Sequence, residues 1–270
     1  MFIDTHCHIN TMIKSTFDVA LSAQEIENAK FIIDQAAAND VKIIINVGTS
    51  LIESTNCIEL AKKYSAIYAT VGIHPTDLPS DWQKELKTIA SWIKEKEINK
   101  IVGIGETGLD LFHKEVPLQR QKDAFKGQIE LSLENDLALV VHTRDAGQET
   151  LRALEEFKGQ ITRGIIHCFS EDQSFAQQVI EWNFVLGIGG TITYPKNLYL
   201  RDIVSNISLQ DFVLETDAPF LPPQIIRGKQ NHPLYIKTIA EYIAQLRDEK
   251  LEVIAEHTTK NAKRVFDINN

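Results

Sequence analysis

The sequence predicts a single (β/α)8 (TIM) barrel of the α/β class. Short apolar and β-branched segments alternate with helical patterns along the whole chain, and eight strand–helix pairs can be counted. The strand starts lie roughly 30 residues apart, which suits a barrel of ~250 residues. Continuous apolar strands separated by helices are typical of a parallel sheet. We therefore expect one barrel that spans residues 1–270.

Each strand is predicted from a short apolar, β-branched run, and each helix from apolar residues that recur at helical spacing. The predicted strands are Phe2–Ile9, Val41–Val47, Ile67–Ile73, Ile101–Glu106, Ala138–His142, Gly164–Phe169, Phe184–Ile188 and Phe212–Thr216. The predicted helices are Ala23–Ala38, Leu51–Tyr64, one within Pro79–Lys96, Leu118–Glu134, Gly147–Phe157, Asp172–Trp182, Asn197–Val204, and the segment from about Pro233 onward. A doubly wound open sheet is the alternative, but it normally has a glycine-rich phosphate loop after its first strand. This chain has His6-Cys7-His8 there.

The composition limits the possible function classes. Hydrophobic residues make up 43% and charged residues 24% of the chain, as in ordinary globular proteins. The formal net charge of −9 argues against broad electrostatic binding to nucleic acid, although metal ions and local basic residues would still allow a nucleic-acid substrate. No apolar run is long enough to span a bilayer and no signal pattern precedes the first strand, so we expect a cytoplasmic protein without membrane contact. Three widely spaced cysteines fit that compartment.

Metal-ligand residue types lie at or near the ends of several predicted strands. His6 and His8 alternate on the first strand and therefore point the same way. Barrel active sites are built from the C-terminal ends of strands. The four other candidates are at the ends of the fourth, fifth, sixth and eighth strands: Glu106, His142, His167 and Asp217.

Four imidazoles and two carboxylates exceed one tetrahedral site and suit two divalent metal ions with open positions for water. The natural division places three residues on one ion: His6, His8 and Asp217. His142 and His167 would bind the other ion, with Glu106 between the two. The mixed nitrogen and oxygen donors leave Zn²⁺, Mn²⁺ and Mg²⁺ open.

The chain resembles the TatD family of metal-dependent deoxyribonucleases, within the wider amidohydrolase-like barrels. The resemblance covers essentially the whole chain and rests on six motifs in the family's order: Asp4-Thr5-His6-Cys7-His8, Gly72-Ile73-His74-Pro75, Gly105-Glu106-Thr107-Gly108-Leu109-Asp110, His142-Thr143-Arg144, His167-Cys168-Phe169-Ser170 and Glu215-Thr216-Asp217-Ala218-Pro219. The chain departs from the family's pattern at Glu171 and Gln230. The resemblance implies hydrolysis of DNA phosphodiester bonds with divalent metal, often from the 3′ end, on single-stranded or frayed DNA. Its metal ligands map onto the same six residues.

The mechanism expected from this site uses a metal-activated water. Asp217 would bind one ion and accept the proton of that water, and Glu106 would set the spacing of the ions. His74 would contact the phosphate or donate a proton to the leaving oxygen. Three basic residues are candidates for holding phosphates: Arg144, Arg227 and Lys229. The three tryptophans fall on predicted helices, where we expect packing and not base stacking.

Two other functions remain open at this point. Another amidohydrolase, acting on an ester, a lactone or aminoacyl-tRNA, would have similar chemistry. Several such barrels bridge their metals with a modified lysine on the fourth strand, where this chain has Glu106. A non-catalytic barrel is the alternative from a different class, and the presence of all six ligand residues argues against it.

Overall fold

The computed structural model describes residues 1–268 and contains eight parallel strands, each paired with the next along the chain. This arrangement confirms the predicted (β/α)8 barrel. The strands are β1 (Phe2–Cys7), β2 (Val41–Val47), β3 (Ile67–Val71), β4 (Ile101–Asp110), β5 (Ala138–Arg144), β6 (Gly164–Ile166), β7 (Phe184–Ile188) and β8 (Phe212–Leu214).

Helices follow the strands and surround them. They are α1 (Ile9–Met12), α2 (Ala23–Ala38), α3 (Leu51–Lys63), α4 (Trp82–Ile93), α5 (Lys96–Asn99), α6 (Leu118–Asn135), α7 (Gly147–Glu155), α8 (Gln173–Glu181), α9 (Leu198–Asn206), α10 (Ile236–Arg247) and α11 (Leu251–Phe266), with 3-10 turns at Gly190–Thr193, Gln224–Ile226 and Pro233–Tyr235. Ser22, Ser50 and Asp172 cap α2, α3 and α8 by accepting backbone N–H bonds in the first turn. Within residues 1–268, no helix combines the length and apolarity needed to cross a membrane.

The last strand meets the first just beyond the end of β8. The Asp217 N–H donates to the carbonyl of His6 (2.8 Å), and the His8 N–H donates to the carbonyl of Ala218 (2.7 Å). These bonds join the two ends of the sheet, although the partners are more than 200 positions apart in the sequence. The closure therefore places Asp217 directly beside His6 in β1 and His8, which follows the strand.

The fourth strand is longer than predicted. The sequence predicts Ile101–Glu106 with a loop after it, but β4 continues to Asp110, with a shift in its register between Ile104 and Thr107. A Cβ on Gly108, whose φ is +142°, would lie 2.0 Å from the carbonyl oxygen of His142, so only glycine allows this close approach to β5. Glu106 therefore lies within β4, at the irregular register, and not at the end of a strand.

Two apolar clusters hold the barrel together. The larger one packs the outer surface of the strands against the surrounding helices. The smaller one joins residues of the strands, such as Ile45 and Val213, to Val265 and Phe266 at the end of α11. Phe266 lies beside Gly103 near the start of β4, away from the ends of the strands that carry the candidate ligands.

Candidate metal centre

The structure brings His6, His8, Glu106 and Asp217 together. The Nε2 atoms of the two histidines lie 3.2 Å apart. Glu106 Oε2 is 3.3 Å from His6 Nε2 and 3.8 Å from His8 Nε2. Asp217 Oδ1 is 3.7 Å from His6 Nε2 and 3.3 Å from His8 Nε2. Four donor atoms thus converge from β1, the residue that precedes α1, β4 and the turn after β8.

The other oxygen of Glu106 faces a second set of imidazoles. Glu106 Oε1 is 2.9 Å from His142 Nδ1 and 3.8 Å from His167 Nε2. His74, which the sequence analysis left outside the ligand set, has its Nε2 3.4 Å from the same oxygen. His167 Nε2 also lies 3.8 Å from Asp217 Oδ1, so the two sets adjoin. Glu106 occupies the position between them that a bridging carboxylate requires.

Oxygen acceptors orient two of the histidines. His8 Nδ1 lies 2.9 Å from the carbonyl oxygen of Val47, and a carbonyl only accepts, so Nδ1 carries a proton and Nε2 is the nitrogen that a metal ion would bind. His142 Nε2 lies 3.1 Å from Asp110 Oδ2, which leaves Nδ1 directed at Glu106. The other nitrogen of a metal-binding histidine commonly contacts an oxygen in this way. The backbone N–H and Nδ1 of His113 also contact Asp110, which fixes that carboxylate.

Glu215 contacts the ring nitrogen of His167 that does not face Glu106. Its side chain is fully buried, and Oε1 lies 3.0 Å from His167 Nδ1 and accepts the Cys168 N–H at 2.6 Å. A Cβ on Gly187 would lie 2.2 Å from Glu215 Oε2, so the glycine makes room for this carboxylate. The sequence analysis did not include Asp110 or Glu215 among the candidate site residues, although both stand within the motifs that carry the family resemblance.

The carboxylates of the site are held ionised. Burial alone would raise the pKa of Glu106, but the positive charge of His167 and His74 and the bonds from His142 and His6 hold that pKa well below its usual value. Burial likewise opposes ionisation of Asp217, yet the contact with His8 lowers its pKa. Burial would lower the pKa of His167, but Glu215 and Glu106 outweigh it and raise the pKa to about 10. The ionised carboxylates are thus balanced by protonated imidazoles, and a divalent cation would take the place of those protons.

The spacing of the donor atoms tests whether a metal ion fits. Ligand atoms about 2.0–2.2 Å from one tetrahedral ion lie roughly 3.3–3.6 Å from one another. The contacts among His6, His8, Glu106 and Asp217 range from 3.2 to 3.8 Å. The residues present thus fit a divalent cation bound by mixed nitrogen and oxygen donors. His74, Glu106 and His142 form a second group, in which one nitrogen or oxygen atom from each residue lies within 4.8 Å of the others.

These residues form the floor of an open cavity of about 240 Å³. Its lining includes five of the six candidate ligands, namely His8, Glu106, His142, His167 and Asp217, together with His74 and two phenylalanines, Phe17 and Phe220. The three predicted phosphate contacts do not line it within the described chain and are exposed outside it: Arg144, Arg227 and Lys229. Phe17 and Phe220 were not predicted, because an isolated phenylalanine in a loop carries no periodic signal.

A (β/α)8 barrel with histidines and carboxylates converging near one end of its strands is an architecture of metal-dependent hydrolases. The family described as TatD related DNase matches residues 3–267. The uncharacterized metal-dependent hydrolase YabD of Bacillus subtilis (strain 168) is 36% identical over 270 residues and covers 100% of both chains. The 3′-5′ ssDNA/RNA exonuclease TatD of Citrobacter koseri is 30% identical over 261 residues, with 93% of this chain and 99% of that protein covered.

A solved structure agrees with these matches. The TatD homologue YjjV of Escherichia coli K12 superposes with a TM-score of 0.88 at 28% identity, over 99% of this chain and 98% of that one. The chain therefore belongs to the TatD related DNase family and is a metal-dependent hydrolase.

Proposed function

We propose that this protein, as one hydrolase domain over its whole length, is a divalent-metal-dependent nuclease that removes nucleotides from the 3′ end of single-stranded or frayed DNA. The observation that carries the proposal is Glu106, whose two carboxylate oxygens face separate sets of imidazoles at the floor of an open cavity. Two divalent ions held there, whether Zn²⁺, Mn²⁺ or Mg²⁺, would supply Lewis-acid polarisation of the phosphoryl oxygen and of the attacking water.

The chain's own residues have distinct tasks in this reaction. Asp217 directs Oδ1 at His8 and His6, and Oδ2 would accept the proton of the attacking water. His74 lines the cavity and its Nδ1 lies 2.7 Å from Thr76 Oγ1, which orients the ring. Its Nε2 would contact the phosphate or protonate the leaving oxygen. Glu106 would hold the two ions at a constant separation.

Nucleic acid as the substrate is supported by a relative and by two arginines. The relative from Citrobacter koseri is named a 3′-5′ ssDNA/RNA exonuclease. The guanidinium of Arg144 lies 4.0 Å from the ring centre of Phe112, and that of Arg227 lies 4.0 Å from the ring centre of Tyr194. Among the described residues, neither arginine has a carboxylate within ion-pair distance. Both guanidinium groups, together with the Lys229 side chain, are therefore available to contact the phosphates of a nucleic-acid strand that leads away from the cavity. A cytoplasmic location remains a prediction.

The test is digestion of 3′- and 5′-labelled single-stranded DNA with Mg²⁺, Mn²⁺ or Zn²⁺, run beside EDTA and Asp217→Asn. We expect metal-dependent loss of nucleotides from the 3′ end and, in Asp217→Asn, a fall of at least about 100-fold because the proton acceptor is gone. Asp145→Asn is the matched control, since Asp145 is an exposed acid with a φ of 52° that asparagine also adopts.

Wild-type activity in Asp217→Asn would refute this mechanism. If the metal-loaded wild type cleaves no DNA but hydrolyses esters or lactones, the hydrolase site stands and the nuclease proposal fails. Metal content near zero, with no thermal stabilisation by added metal, would instead support a non-catalytic barrel.

A further inference from the structure

Two exposed aromatic rings stand on the wall of the cavity above the candidate ligands. Phe17 is 49% and Phe220 is 52% exposed, and both line the cavity that Glu106 and Asp217 share. The ring centre of Phe220 lies 6.0 Å from that of His8. A single exposed phenylalanine needs no explanation. Here, however, two exposed phenylalanines lie beside the polar candidate ligands. Binding pockets have this composition, because apolar side chains line them and a few polar groups fix the orientation of the bound molecule.

Phe17 lies on a loop that a buried carboxylate holds in place. Glu53 is fully buried, and its Oε1 accepts bonds from Lys14 Nζ (2.6 Å) and from the Asp18 N–H (2.6 Å). Its Oε2 accepts a bond from Asn10 Nδ2 (2.8 Å). Phe17 therefore stands between two residues that are tied to the same carboxylate. Bonds to a charged acceptor are the stronger kind, so the ring is presented by an ordered segment.

Phe220 is held by its backbone. Its N–H donates to the carbonyl of Asp217 at 2.8 Å, which ties it to the turn that carries a candidate ligand. The side chain of Asn231, which is buried, donates from Nδ2 to the carbonyl of Phe220 (2.8 Å) and to that of Thr216 (2.7 Å). The two residues thus lie far apart in the sequence, and hydrogen bonds hold the backbone beside each ring in place.

We propose that Phe17 and Phe220 contact the base of the nucleotide at the scissile phosphate, so that the site selects an unpaired, base-bearing 3′ terminus. This inference rests on the proposed nuclease function. Aromatic side chains bind bases of single strands by stacking, and they do so with little sequence preference because every base has a π-face. The cavity, about 240 Å³ in volume, is on the scale of a single nucleotide. A base that is paired and stacked in a duplex does not offer its face to these rings, so the site would favour a terminus whose last base is unpaired.

The test compares two 5′-labelled single-stranded oligonucleotides, one with an ordinary 3′-terminal nucleotide and one with an abasic residue at that position. Phe17→Leu and Phe220→Leu retain apolar bulk but remove the aromatic face. Phe31→Leu is the matched control, because Phe31 is 67% exposed on α2 and does not line the cavity. All proteins are loaded with the same metal before kcat and KM are measured.

We expect the wild type to prefer the base-bearing end by about 5- to 100-fold in kcat/KM, the range that base–aromatic stacking gives. Each cavity variant should raise KM on that end by a similar factor, with little change in kcat and no further loss on the abasic end. Phe31→Leu should behave as the wild type on both.

Equal cleavage of the two substrates by the wild type, or cavity variants identical to the wild type, would overturn the inference while the nuclease function stands. If the metal-loaded wild type cleaves neither substrate, the nuclease function fails and the inference fails with it. The two failures are therefore distinguished by whether any DNA is cleaved.

Discussion

Replacing Glu215 by glutamine tests how far metal binding depends on a residue that does not belong to the ligand set. The carboxylate is fully buried, 3.0 Å from His167 Nδ1, and also accepts the Cys168 N–H. Glu215→Gln keeps the shape but removes the negative charge that holds the proton on Nδ1. The constraint that directs His167 Nε2 at Glu106 is then weaker, because an amide oxygen attracts the Nδ1 proton less than a carboxylate does. The variant is expected to bind metal more weakly without loss of the barrel.

Removing such a supporting group typically lowers metal affinity or activity about 10- to 100-fold, which corresponds to ~1.4–2.7 kcal/mol. The assay is competition for Zn²⁺ or Mn²⁺ against a chelator of known affinity, followed by hydrolysis of labelled DNA at saturating metal. A second variant disturbs the contact between Glu215 and His167 without removing the carboxylate. Gly187→Ala keeps the carboxylate but places a Cβ 2.2 Å from Glu215 Oε2, so the carboxylate must move away.

Glu53→Gln is the control for loss of a buried carboxylate elsewhere. Glu53 is also fully buried and accepts a bond from Lys14, but it contacts none of the candidate ligands. This variant should lower the melting temperature and leave metal affinity unchanged. The reasoning fails if Glu215→Gln and Gly187→Ala both retain wild-type metal affinity and activity.

Two further predictions concern a second supporting acid and the pH dependence of stability. Asp110→Asn should weaken metal binding about 10- to 100-fold, because its carboxylate orients His142; chelator competition measures this, and wild-type affinity would contradict it. Burial lowers the pKa of His232 from 6.5 to about 4, so between these values the unfolded chain takes up a proton that the folded chain excludes. Stability should be full above pH 6.5 and fall as the pH drops toward 4, by roughly 1–2 kcal/mol once solvent screening of this half-buried ring is allowed for. Urea unfolding at pH 7 and 4.5, compared with His232→Asn, checks this, and parallel losses in both proteins would contradict it.

The choice of His232→Asn keeps one structural contact constant. His232 Nδ1 accepts the Leu234 N–H at 3.1 Å at the start of a 3-10 turn. Asparagine also supplies an acceptor at such a position but has no proton to gain in this pH range. A difference between the two pH profiles therefore reports the titration of the imidazole and not the loss of the turn.

The fold class and the six candidate ligands could both be predicted from the amino-acid sequence, because both predictions depend on local patterns. Apolar runs alternating with helical periodicity require a parallel sheet covered by helices. The parallel strands of a barrel end at a common face, so residue types at those ends predict a shared site before any distance is known. His6 and His8 were paired for the same reason, since alternation along a strand directs both side chains to one side.

The tertiary structure alone decided how those residues are supported and what surrounds them. The closure between β8 and β1 depends on the curvature of the whole sheet, and it brings Asp217 to His8 across more than 200 positions. The extension of β4 to Asp110 depends on pairing with β5, and the strand propensities of the β4 residues alone do not predict that pairing. The contact between Glu215 and His167 joins the segments that follow β8 and β6, and the loop that carries Phe17 is held by a carboxylate in α3. Contacts of this kind leave no periodic pattern in the sequence, so only the assembled barrel defines them.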